Sequence, residues 1–284
     1  MKILESPDQI LEMTARFQSG ETKLGFVSAM GLLHEGHLAL IRKAREMADS
    51  VLVMVYANPA LVQDDETLLR LKEQRPADIE LLASEGVDYA CFPGRKELHP
   101  KDHRTHVRLD KLDQRFRGIE TDQYLTGLAT VYLQAMNLFR PNFVFVAQKN
   151  YLDFLILKRL IRDLDVRTEP VLSPTVRDEN GLPYSSFHGL FGDAEKGVAL
   201  KVCQALGAAR EELMAGEKSA VRIIQRMQEL MGREPLLHVR FVGILDPGNL
   251  EPLERVTRDA LVYVVAHVGR FRFTDNFIFH VQQD

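Results

Sequence analysis

Residues 51–57, Val-Leu-Val-Met-Val-Tyr-Ala, run without a charged or strongly polar side chain. A strand of that texture is buried on both faces, which in a water-soluble chain means the interior of a parallel sheet with helices on either side. The flanking segments keep the alternation that such a sheet requires. The pattern predicts a helix over 7–18, capped by Ser6 or Asp8, a strand over 23–28 and a helix over 35–48. Beyond the apolar run it predicts a helix over 76–85 ending at Gly86, and a strand over 87–92 stopped by Pro93-Gly94. Then come a helix over 127–138, a strand over 143–147, a helix over 151–163 and a strand beginning at 166–170. This rhythm predicts an α/β fold with a doubly wound, Rossmann-like parallel sheet.

The texture changes near 175–190, where Asn180-Gly181 is a hairpin signal in a polar, turn-rich stretch. Helical patterns follow at 194–215 and 217–232, then strand-like runs at 236–244, 260–267 and 271–280. The expected division is a Rossmann-like nucleotide-binding and catalytic domain at 1–173 and a smaller α+β C-terminal lid domain at 176–284.

The 284 residues are 45% hydrophobic and 27% charged, the balance of a soluble globular protein. A net charge of −4 without a basic block argues against nucleic acid as the main partner. No apolar run reaches the ~18 residues of a membrane span, and the first residues lack a signal-peptide pattern. Cys91 and Cys203 stand far apart without metal or disulfide spacing, so a reducing cytoplasm is the expected location. His99, His103, His106, His238, His267 and His280 show no ligand spacing and are expected to be structural or solvated. Asp64-Asp65-Glu66 reads as a loop or helix start, and no metal site is expected.

The functional signal lies where the first predicted strand meets its helix, in Ser28-Ala29-Met30-Gly31-Leu32-Leu33-His34-Glu35-Gly36-His37. Two histidines at a helix N-terminus join imidazole donors to free backbone N–H groups and the positive end of the helix dipole, a combination suited to a polyphosphate. In this setting His-x-Gly-His resembles the motif of the nucleotidyltransferase superfamily.

Further matches follow in order: Asn58-Pro59, Gly86-Val87-Asp88, Val146-Ala147-Gln148-Lys149-Asn150-Tyr151, Pro174-Thr175-Val176-Arg177, Gly181 to Ser186, and Val268 to Asn276. Over nearly its whole length the chain resembles the pantothenate synthetase (pantoate–β-alanine ligase) family. The resemblance implies an ATP-dependent ligase. A carboxylate attacks the α-phosphorus of ATP to give an acyl-adenylate and pyrophosphate, and an amine then displaces AMP to form an amide. It also implies Mg²⁺ with the ATP, and a homodimer.

By the same resemblance His34, His37 and Lys149 would stabilise the transferring phosphoryl group. Met30, Gly31 and Val176 would shape part of the adenosine and ribose surface, and Gly36 would join them in binding the nucleotide. Ser185 and Ser186 would donate to the distal phosphates as the smaller domain closes. From the residues alone, Lys149 also reads as a surface lysine, and the two serines as a turn or helix cap.

The chain departs from the family pattern mainly where the acid would sit. Leu61 and Asp153 each take the place of a glutamine, and Tyr124 and Leu125 fall in a loop where the family carries basic and histidine residues. In the nucleotide region Asn150 replaces an aspartate and Phe187 an arginine, with His188 beside it. These changes predict a ligase with an acid other than pantoate, and open the question of a changed amine. The alternatives are pantoate itself, a non-catalytic binder of a nucleotide or small acid, and a nucleotidyltransferase that uses no amine.

Overall fold

The computed structural model describes residues 1–17, 20–58, 62, 65–110, 121–186 and 191–281. Their contacts divide into two compact units. The first takes in the N-terminal part of the chain with Thr121–Ala147 and Tyr151–Val176, and the second takes in Gln148–Asn150 and the chain from Arg177 onward.

The first unit is built on a six-stranded parallel sheet, in the order β1-β4-β3-β2-β5-β6. Its strands are β1 (Lys2–Leu4), β2 (Leu24–Ala29), β3 (Ser50–Val55), β4 (Tyr89–Cys91), β5 (Phe143–Ala147) and β6 (Glu169–Ser173). Its helices are α1 (Pro7–Phe17), α2 (Glu35–Met47), α3 (Asp65–Ser84), the one-turn α4 (Arg95–Leu98), α5 (Asp122–Phe139) and α6 (Tyr151–Asp163). The apolar run beginning at Val51 becomes β3, whose Val51, Leu52, Val53 and Met54 are all buried. β2 pairs with β3 on one side, Val27 opposite Val53, and with β5 on the other, Gly25 opposite Phe143. The strand order reverses between β2 and β5. In a doubly wound sheet, ligands bind beyond the C-terminal ends of the strands at that switch point.

Local boundaries differ from the sequence pattern for identifiable reasons. α3 starts at Asp65 rather than 76 and carries Pro76 inside. The proline removes a hydrogen bond to the Lys72 carbonyl, and both residues lie on the exposed face, where water replaces the lost donor. α5 starts at Asp122 rather than 127, because the Thr121 hydroxyl accepts the Tyr124 N–H (3.1 Å) and caps the helix. The strand expected from 166 starts at Glu169. Asp165 turns left-handed (φ 52°) and the Val166 N–H returns to the Ile161 carbonyl (3.1 Å), closing α6 first. Edge strand β1, beside β4, is too short to register as a periodic signal.

The second unit sets α7 (Asp193–Met214) and α8 (Ala220–Met231) against an antiparallel sheet of β7 (Leu237–Leu245), β8 (Ala260–Val268) and β9 (Phe271–Phe279). Val198, Val202 and Leu206 of α7 and Ile223 and Met227 of α8 share a core with Val262, Val264, Phe273 and Phe277. Asn180-Gly181 forms the expected turn. Gly181 (φ 87°) donates its N–H to the Asp178 carbonyl (3.0 Å), and the Asp178 N–H donates to the Leu182 carbonyl (2.9 Å). Among the described residues no helix is long and apolar enough to cross a membrane.

Candidate active site

The histidine motif occupies the turn between β2 and α2. β2 is tied at its end by the Tyr56 N–H donating to the Ala29 carbonyl (2.8 Å). Gly31 then takes φ 113° and Leu32 φ 52°, two successive left-handed residues that bring backbone N–H groups round to one side. A side chain at Gly31 is strained by that backbone conformation, and its Cβ would lie 2.9 Å from Leu71 Cδ2, so that the movable end of Leu71 would have to shift.

The concave side of the turn is filled by a carboxylate. Asp78 of α3, 1% exposed, accepts the N–H groups of Leu32 (3.1 Å) and Leu33 (2.9 Å). Burial raises its pKa above the ordinary carboxylate value, against the opposing pull of the Leu33 and Leu32 bonds. No local sequence signal marks Asp78; it reaches the turn from another helix.

His34 follows as the extended N-cap of α2 (φ −143°, ψ 171°), its carbonyl accepting the N–H groups of His37 (2.7 Å) and Leu38 (3.2 Å). The His37 Nδ1 accepts the His34 N–H over a long 3.4 Å. The two rings lie 3.9 Å apart between centroids, tilted by 35°. Both are half-buried, and Gly36 between them lies in the first turn of α2. Two imidazoles on one helix N-terminus offer directed donors to an anion held there.

Of the residues predicted for the acid, three lie on α5 and α6. Tyr124 is half-buried, Leu125 is in the core at 3% exposure, and Asp153 is half-buried in the first turn of α6. Leu61 lies outside the described residues. One partner of Asp153 is a residue that the sequence pattern does not single out. The buried Tyr132 hydroxyl donates to Asp153 Oδ2 at 2.9 Å, and burial, followed by the Asp153 charge, raises the phenol's pKa well above its usual value. Tyr132 therefore stays protonated and donates. Asn58, 3% exposed, donates through Nδ2 to the Gly127 carbonyl (3.2 Å), tying the end of β3 to α5.

Lys149 belongs to the second unit, in a short 3₁₀ turn over Gln148–Asn150. It is half-buried, not a fully exposed surface lysine, whereas Asn150 is exposed. The turn is gripped by Asn276 of β9, which donates through Nδ2 to the Lys149 carbonyl (3.0 Å) and accepts from Gln148 Nε2 (2.7 Å). The neighbouring Asp275, fully buried, receives both terminal nitrogens of Arg177 at 2.8 and 2.9 Å. The Cys203 thiol of α7 lies 3.7 Å from the same carboxylate, and burial, then the Asp275 charge, pushes its pKa up to about 12. Ser185 and Ser186 are half-buried just beyond the Asn180-Gly181 turn, and Val176, also half-buried, ends the first unit. Phe187 and His188 lie outside the described residues.

His99, His103 and His106 form a run of rings with successive centroids 5.1 Å apart, and His99 Nδ1 is hydrogen-bonded to the Tyr56 hydroxyl at 2.7 Å. Among the described residues, however, no group of three or more His, Cys, Asp or Glu side chains is arranged to hold a metal ion.

Comparison with known proteins bears on the same features. The pantoate-beta-alanine ligase family profile matches residues 2–278. A pantothenate synthetase of Thermotoga petrophila is 33% identical over 278 residues, covering 98% of this chain and 99% of that protein. One from Heliobacterium modesticaldum is 33% identical over 284 residues, covering 99% of this chain and all of that protein. A crystal structure of the Thermus thermophilus pantothenate synthetase superposes with a TM-score of 0.88 at 29% identity, over 98% of this chain and 99% of that one. A family match over nearly the whole length, joined to a histidine pair on the turn after β2, leads to one conclusion: the chain belongs to the pantoate–β-alanine ligase family, whose members are ATP-dependent, amide-forming ligases.

Proposed function

We propose that this chain activates a carboxylic acid with ATP and joins it to an amine, using an acid other than pantoate. In the first step a carboxylate oxygen of the acid bonds to the α-phosphorus of Mg·ATP, and the bond to the pyrophosphate oxygen breaks. In the second the amine nitrogen bonds to the acyl carbon, AMP leaves with the former carboxylate oxygen, and the amine gives up a proton. His34 and His37 hold phosphate oxygens through ring N–H donors, and Lys149 places a compact positive charge on the transferring phosphate. Gly31, Gly36, Met30 and Val176 face adenosine and ribose, while Ser185 and Ser186 donate to the departing phosphates. The Mg²⁺ travels with the nucleotide, needing few protein ligands of its own.

The observation that carries the choice of acid is the Tyr132–Asp153 pair. At the position where the family resemblance places a glutamine, a carboxylate is held in place by a phenol. A glutamine amide both donates and accepts; a carboxylate only accepts and adds negative charge. Pantoate, itself an anion with hydroxyl groups, loses a donor there and meets a like charge. An unmatched polar group in a closed site costs about 1–3 kcal/mol. An acid bearing an ammonium or another strong donor matches Asp153 instead. Tyr124, half-buried on α5, offers a ring to the acid, whereas Leu125 belongs to the core.

The relatives favour a second reading, pantoate itself, since the whole-length matches are pantothenate synthetases. One experiment separates them: ATP–pyrophosphate exchange across a panel of acids that includes pantoate and amino-bearing acids, with His34→Ala/His37→Ala as control. Exchange at least tenfold faster with another acid, abolished in the control, is the expected result. Pantoate as the best acid would establish the second reading, and amide formation with AMP release separates either from a nucleotidyltransferase. Nucleotide binding without exchange would mark a binder.

A further inference from the structure

Strand β9 has the alternation of a sheet with one face against helices. Phe271, Phe273 and Phe277 pack towards α7 and α8, so Asp275, in phase with them, points into that layer, where Arg177 and Cys203 meet it. Asn276, one residue on, points to the opposite face. At 1% exposure it sits in the middle of the strand, on the face that also carries Arg272 and Thr274. A buried amide at such a position weakens a strand unless its polar atoms are matched. Both ends of this amide are matched by one short segment, Nδ2 by the Lys149 carbonyl and Oδ1 by Gln148 Nε2. The Asn276 N–H is in turn accepted by Asp275 Oδ1 (2.8 Å), so the carboxylate that grips Arg177 also orients the residue that grips the Lys149 turn.

We propose that Asn276 is a positioning residue for Lys149: by clamping the Gln148–Asn150 turn to β9 it sets the direction in which the lysine presents its ammonium group. The inference rests on the ligase reading, in which Lys149 acts on the transferring phosphate. A merely structural amide would stabilise the second unit equally well whether or not a lysine stood at 149.

A double-mutant cycle in the full-length protein distinguishes these roles. Pyrophosphate exchange at saturating ATP is measured for wild type, Lys149→Ala, Asn276→Ala and the double variant, alongside acetic anhydride labelling of Lys149 read by mass spectrometry. Asn276→Thr, better suited to a strand, replaces Asn276→Ala if the latter does not fold. Asn276→Ala is expected to slow exchange at least tenfold with little change in KM for ATP. In the Lys149→Ala background the same substitution is expected to cost less than threefold. Labelling of Lys149 is expected to rise at least threefold in the Asn276 variants. Equal losses in both backgrounds would overturn the proposal. If wild type shows no exchange with any acid, the ligase reading fails on its own, and labelling decides the positioning role, as it does wherever exchange falls below detection. Unchanged labelling then overturns it.

Discussion

Replacing Asp78 tests whether the histidine turn is held from outside or holds itself. In Asp78→Ala the N–H groups of Leu32 and Leu33 lose the carboxylate that accepts them at 3.1 and 2.9 Å. The cost does not come from losing a favourable charge. Burial raises the Asp78 pKa despite the two backbone bonds, so the ionised form gains less from them than it loses by leaving water. It comes from the two donors left behind, at about 1–3 kcal/mol each for a group that cannot fully rehydrate. Relaxation of Leu32 from its left-handed conformation returns roughly 1 kcal/mol. The net expectation is about 1–5 kcal/mol, which for a folding unit of roughly 170 residues is a fall in Tm of about 3–14 °C.

The catalytic effect is expected to be larger, because the turn sets the origin of α2 and with it the His34–His37 pair. A displacement of about 1 Å in a reacting geometry costs on the order of 100-fold in rate. Asp78→Asn separates charge from shape. The amide keeps the size but points a donor at one of the two N–H groups, so it is expected to lose about as much activity as alanine. The pH dependence has a defined sign. A carboxyl whose folded pKa lies above its unfolded value takes up its proton first in the native state, so its contribution to stability falls as pH rises through the window between the two values. Wild type is therefore expected to gain on Asp78→Asn as pH drops through that window. Differential scanning fluorimetry and pyrophosphate exchange provide both measurements. A Tm within about 2 °C of wild type with exchange within twofold would refute the reasoning.

Gly31→Ala is expected to cost about 1–3 kcal/mol through its left-handed backbone, with Leu71 forced aside as well, and to lower exchange without abolishing nucleotide binding, as read by calorimetry. Burial holds Cys91 at about 11 and Cys203 at about 12, so both thiols stay protonated at pH 8. Ellman's reagent is expected to label neither in the native protein and both in denaturant. The Arg177–Asp275 pair is asymmetric, with the Arg177 side chain 32% exposed and Asp275 fully buried. Arg177→Met should thus be the more damaging single change, by about 3–5 kcal/mol, because it strands a buried carboxylate. Asp275→Leu should be milder, and combining the two should recover part of the loss in urea denaturation; a double variant less stable than Arg177→Met would contradict the argument.

What the sequence revealed of this fold follows how local each feature is. β3 is visible because residues 51–55 are apolar without interruption, and only a doubly covered sheet accepts that. The start of α3 is not, because Pro76 reads as a helix boundary and only the exposure of its face explains why the helix continues through it. The histidine turn is legible for the same reason as β3. Its strand, glycine, N-cap and helix occupy consecutive positions, so the pattern and the geometry are one object.

The supports of the candidate residues are hidden by distance along the chain. Asp78 bonds Leu33 across 45 residues, Tyr132 bonds Asp153 across 21, and Asn276 bonds Lys149 across 127. No periodicity links such pairs, and each partner taken singly reads as an ordinary helix or strand residue. One of them nevertheless left a mark. Asp275-Asn276 places two fully buried polar side chains in the middle of a strand in which Phe273 and Phe277 are core residues. A local choice that conflicts with its own element weakens folding, and it persists where a neighbouring geometry depends on it. Asp78 obeys the same logic inside a helix. Its carboxylate is desolvated at a net cost to its ionised form, yet it fits the one turn where two left-handed residues gather their N–H groups. In both units a buried polar side chain fixes the backbone beside a charged or titratable group, and the energy spent on burial appears as direction: two imidazoles aligned on a helix N-terminus, and a lysine held at a fixed turn.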